Sequence, residues 1–90
     1  MTGLGSLPAS SLALLDALVC DHARAGWVLC WRVSVGAGMH ERTARRAWAR
    51  LAAWGLVRLH RGCSGAEHRV EVTALGVALI DARYAAEVAA

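Results

Sequence analysis

The sequence predicts an α+β, mainly helical domain: a three-helix core, a two-stranded β-hairpin and a C-terminal helix. Three observations carry that prediction. Apolar residues recur at helical spacing in separate stretches, at Leu12, Leu15 and Val19, at Ala44, Trp48 and Leu51, and at Leu75 and Leu79. Between the last two stretches, Val57 and Leu59 alternate with Arg58 and His60, and Val70 and Val72 with Arg69 and Glu71, across the turn-rich GCSGAE. The 90 residues, 57% hydrophobic and 19% charged, suit one modest core and leave no room for a second domain.

Residues 1–9, MTGLGSLPA, hold two glycines and the only proline, and read as a flexible lead-in to a single domain over 10–90. Ser10 or Ser11 is the expected cap of the first helix, because a serine oxygen accepts from the free amides of the first turn. Leu14 and Leu18 widen the apolar stripe, His22 falls at its boundary, and Gly26 offers a left-handed stop. WVLCWRV, residues 27–33, is apolar and partly β-branched, which predicts a short extended segment. RVSVGAG then predicts a brief second helix ending near Gly36 or Gly38. The third helix is expected over 40–54, closed by Gly55, and Thr73 is the expected cap of a last helix running from about 74.

Charge is distributed unevenly along this frame. From Met39 to Arg61 there are six arginines and one acid, Glu41, whereas the remainder holds four arginines and six acids. A basic centre between near-neutral ends is the electrostatic footprint of a polyanion-binding surface. The chain has no lysine, so each of these cations is a planar guanidinium suited to bidentate contact with phosphate or guanine. An Arg-rich helix face is more often simply solvated, and Glu41 with Arg45 is an ordinary i, i+4 pair. The surrounding elements decide between the two readings.

Other chemistries find little support. Cys20 and Cys30 lie in apolar runs and read as small buried hydrophobes; three cysteines fit neither a CxxC pair nor a disulfide framework. Cys63 with His60 and His68 nearby is a weak signal for a metal or redox site beside the reading as ordinary loop residues, and no metal or other cofactor is expected. There is no Gly-rich phosphate loop and no Ser/His/Asp or Cys/His arrangement, so an enzyme is not expected. No run reaches the ~20 apolar residues of a membrane helix, and the N-terminus lacks the basic region of a signal peptide, so the expected location is cytoplasmic.

The segment from Val33 to Gly55 resembles a helix-turn-helix, and the hairpin after it resembles the wing of a winged-helix domain. Val33 and Ser34 stand where this family has an apolar and a small residue in its second helix, and Gly38 and Met39 match its turn. WGLV, residues 54–57, is similar to the family's exit into the wing, and VTALGVALI, residues 72–80, to the helix opening after the wing in MarR-like regulators. The resemblance covers roughly residues 10–85 and implies a winged helix-turn-helix fold that binds double-stranded DNA. It points to a small transcriptional regulator, most simply a repressor, acting as a homodimer through its terminal helices.

On that resemblance, the first turns of the third helix enter the major groove, where each base pair displays its own donor and acceptor pattern. His40, Glu41, Arg42, Thr43, Arg45 and Arg46 are then the residues near base edges, with Arg42, Arg45 and Arg46 as the readers. Arg50, Arg61 and Arg69 are the phosphate candidates. His40 would act as a neutral donor or acceptor, since a cation sits badly at a helix N-terminus. Trp48 is expected in the core; Trp31 and Trp54 are expected to be covered by a terminal helix rather than left as interface anchors. Two other uses fit the same pattern: a protein-interaction module in a larger assembly, and a phage or plasmid DNA-processing accessory.

Overall fold

The computed structural model describes residues 7–89. Helix α1, Ala9–Ala17, widens into a π-helical turn over Leu18–His22, closed by the Ala23 amide on the Leu18 carbonyl at 2.8 Å. Strand β1, Val28–Leu29, leads directly into helix α2, Cys30–Gly36. Helix α3, Glu41–Ala53, strand β2, Val57–His60, a 3-10 turn at Gly65–Glu67, strand β3, Arg69–Val72, and helix α4, Ala74–Ala89, complete the chain.

The two helices of the central unit end in the same way. After α2, Gly38 takes φ 68° and donates to Val35 O at 2.9 Å, while Met39 donates to Ser34 O at 3.0 Å. After α3, Gly55 takes φ 75° and donates to Ala52 O, while Leu56 donates to Leu51 O, both at 3.0 Å. Each is a Schellman termination, in which a left-handed glycine lets two amides satisfy the last helical carbonyls. Met39 and Leu56 are thereby turned toward the core, where Leu56 is fully buried.

The sheet has the order β1-β3-β2 and is antiparallel throughout, with Val70 between Val28 and Leu59, and Arg69 between Leu29 and His60. Its inner face contributes Val57, Val70 and Val72 to the core, against Leu14, Leu15, Leu18, Val33, Leu51 and Ile80. Alternation along a strand therefore sends Arg58, His60, Arg69 and Glu71 to the outer face. Thr73 ties the end of α3 to the start of α4: its hydroxyl donates to Gly55 O at 2.7 Å and accepts from the Gly76 amide at 3.2 Å.

Several local expectations are corrected. The extended stretch expected over 27–33 is only Val28–Leu29, because Cys30 already begins α2. Neither Ser10 nor Ser11 caps α1; Pro8 holds that position, and Ser11 is buried on the helix face that packs inward. Of the expected lead-in, residues 1–6 lie outside the described residues, while Leu7 is buried in the core. Cys20 is exposed rather than buried, since the widened turn rotates it away from the stripe that Leu18 and Val19 continue. Trp54 packs against the core as expected, but Trp31 is 46% exposed because the early start of α2 carries it onto the solvent side.

Candidate nucleic-acid interface

Helix α3 buries Ala44, Ala47, Trp48 and Leu51 and leaves the remaining surface to charge. Arg42, Arg46 and Arg50 follow one another at i, i+4 and i+8, so their guanidinium groups form a stripe along the solvent side. Among the described residues no acid pairs with any of the three. Arg45 lies to one side of the stripe and reaches Glu41 Oε1 at 2.9 Å, with both side chains more than three-quarters exposed. An ion pair so open to water contributes little and yields readily to a stronger partner. Thr43 is exposed as well.

His40 is the N-cap of α3, and its Nδ1 accepts the Arg42 amide at 3.2 Å. That bond requires an unprotonated Nδ1 and leaves Nε2 as the atom available to an external partner. Beneath the helix, Trp48 Nε1 donates to Ser34 Oγ at 3.2 Å, and Ser34 Oγ donates to Cys30 O at 2.9 Å. This chain of bonds fixes α3 on α2 and so fixes the direction in which the arginine stripe points.

Arg61 follows β2 and Arg69 opens β3, so both stand at the base of the hairpin loop, exposed and without an acid partner among the described residues. The loop itself is held by side chains. The Gly62 amide donates to His68 Nδ1 at 3.1 Å, and the Cys63 amide donates to Glu67 Oε2 at 2.8 Å. His60, Cys63 and His68 do not converge, and no cluster able to hold a metal ion occurs among the described residues. Arg58 is removed from the free cations by its cross-strand partner Glu71, and it also lies over the Trp27 ring at 5.9 Å.

Two exposed residues outside the expected set border this region. Arg32 on α2 lies over the Trp31 ring at 5.7 Å, and Trp27 before β1 is 48% exposed. Neither belongs to the Arg-rich central stretch, and the apolar run around them concealed their exposure.

Three solved structures are similar over most of this chain. A MarR family transcriptional regulator from Silicibacter pomeroyi matches with a TM-score of 0.70 and 24% identity, over 87% of this chain and 50% of its own. A second MarR family transcription regulator matches with a TM-score of 0.73 and 20% identity, over 93% and 54%. The PcaV transcriptional regulator from Streptomyces coelicolor matches at 0.69 and 20%, over 87% and 55%. The fold is a MarR-like winged helix. In its terms α2 and α3 are the helix-turn-helix, and the β2–β3 hairpin is the wing.

No family model matches the sequence, nor does any curated protein. The winged helix spans about half the length of the regulators it resembles. No helix among the described residues is long and apolar enough to cross a membrane.

Proposed function

We propose that this chain binds double-stranded DNA in a sequence-specific manner and acts as a small transcriptional regulator, most simply a repressor that occupies a promoter. The observation that carries the reading is the stripe of Arg42, Arg46 and Arg50 on the recognition helix, exposed and unpaired among the described residues. Arg42, Arg45 and Arg46 are the base readers, since guanidinium groups in the first turns of such a helix reach guanine O6 and N7. Thr43 contacts a thymine methyl or a phosphate, and His40 offers Nε2. Arg50, Arg61 and Arg69 hold phosphates and set the register of the protein on the duplex.

The chain acts as a homodimer through its terminal helices. Support comes from α4, which buries only Gly76 and Ile80 and leaves Leu75, Tyr84 and Val88 53%, 41% and 88% exposed. More apolar surface stands open there than one small domain uses. Sedimentation of the purified chain tests the dimer directly.

The DNA reading is tested by selecting bound duplexes from a random library at near-physiological salt. An inverted repeat with half-sites about one helical turn apart is the expected product. Recovery of no sequence above background would reduce the arginine stripe to a non-specific attraction.

A further inference from the structure

Between α2, the wing-facing side of α3 and the wing runs an open groove of about 690 Å³. Its floor is apolar: Trp31 and Val35 lie one helical turn apart on α2, facing Met39 and Leu59. Three of these are unusually open for their size, Trp31 at 46%, Val35 at 68% and Leu59 at 36% exposure. The rim is cationic. Arg45, Arg61 and Arg69 border the groove, and its one acid, Glu41, is already engaged by Arg45.

DNA accounts for the rim but not for the floor. A phosphate backbone satisfies guanidinium groups, yet it offers nothing to a tryptophan and a valine on the outside of α2, a helix whose buried residues are Val33 and Ser34. Large exposed apolar side chains, rimmed by charge, mark a contact surface for a partner that carries both characters. Charge complementarity fixes the sign of that partner as negative. Trp31, Val35 and Leu59 stand exposed within the groove, which suits a segment of polypeptide that lays apolar side chains on the floor and carboxylates on the rim.

We propose that this groove is the docking site of an acidic peptide segment bearing large apolar side chains. Trp31 and Val35 anchor it, and Arg61 and Arg69 orient its carboxylates. The site itself stands independently of the DNA reading. One consequence rests on that reading: Arg45, Arg61 and Arg69 would serve both partners, so the peptide and DNA exclude each other.

The test is a displayed library of random 12-residue peptides panned on the full chain, followed by fluorescence anisotropy of the enriched peptides without DNA. The expected sequences combine two or more acids with Leu, Ile, Phe or Trp. Their affinity should fall at least tenfold on Trp31→Ala and, separately, on Val35→Ser, both checked for unchanged thermal melting. Any of three results would overturn the proposal: no enriched sequence, enriched sequences without acids, or affinities unaltered by both substitutions. Displacement of the peptide by a selected DNA duplex is then measured separately. Peptide binding without competition would refute the shared rim while leaving the groove assigned; competition lost in Arg61→Ala and Arg69→Ala would establish it.

Discussion

Trp48 Nε1 reaches Ser34 Oγ at 3.2 Å across the interface between α3 and α2, and both residues are buried. A buried indole N–H needs an acceptor, and Ser34 Oγ is the one it meets. Replacing Ser34 by Ala strands that donor, which costs about 1–3 kcal/mol. Denaturant unfolding should show a lower midpoint with an unchanged slope. If Ser34→Ala melts like the parent, the bond contributes nothing and another feature sets the angle of α3.

Gly76 occupies a place in α4 where no other residue fits. A Cβ there would stand 2.3 Å from Leu56 O and 2.8 Å from Val72 Cγ2. The first contact is backbone, so relief requires α4 to move away from the sheet and the end of α3. Gly76→Ala should therefore destabilise the domain by at least about 1–3 kcal/mol, despite the better helix propensity of alanine. A thermal melt distinguishes the two effects by sign, because propensity alone would raise the midpoint.

Much of this architecture was legible in the sequence. The period of Ala44, Trp48 and Leu51 placed the buried face of α3, and two alternating runs placed the hairpin, because both patterns follow directly from the geometry of a half-buried element. Thr73 was legible as a cap for the same local reason. The Trp31 exposure was not. Its position depends on whether the chain leaves β1 at Leu29 or Val33, and WVLCWRV reads equally as strand or as buried helix. Cys20 was misjudged because a π-helical turn breaks the 3.6-residue period on which the reading relied. The groove beside α3 combines residues from α2, α3 and the wing, so only tertiary packing assembles it.

On the DNA reading, Arg46 and Arg45 differ in what their removal should do. Arg46 has no acid partner among the described residues, whereas Arg45 must first leave Glu41. Arg46→Ala should thus cost more affinity for a selected site than Arg45→Ala, about 1–3 kcal/mol if it contacts a guanine bidentately. The double substitution should abolish sequence preference while preserving the melt. Arg69→Ala should weaken all duplexes about equally and lower the salt slope by about one. A loss confined to one sequence would make the wing a reader.

The three thiols should separate by reactivity and pH. Burial pushes the Cys30 thiol up to about 11. Desolvation and the hydrogen bond that Cys20 donates to the Asp16 carboxylate raise that of Cys20, although the side chain is exposed. A raised pKa withholds the reactive thiolate, so at pH 8 only about one Cys30 in a thousand is ionised. Cys63, exposed on the wing, should be alkylated first, and Cys30 last. Raising the pH toward 11 should accelerate Cys30 steeply until its ionisation saturates. Mass spectrometry of partly labelled protein reads the order; rapid labelling of Cys30 at pH 8 would mean that α2 opens locally.

His40 gives a way to separate the stability of α3 from the DNA contacts proposed for it. Its Nδ1 accepts the Arg42 amide, so His40→Ala should lose a cap worth about 0.5–2 kcal/mol. His40→Asn keeps an oxygen acceptor at the same place and should retain the melt, but it removes the imidazole Nε2. Measured on a selected duplex, the two variants then distinguish the roles of the ring. If both lose affinity in proportion to lost stability, His40 is a cap and nothing more. If His40→Asn is stable yet binds several-fold more weakly, Nε2 contacts the DNA.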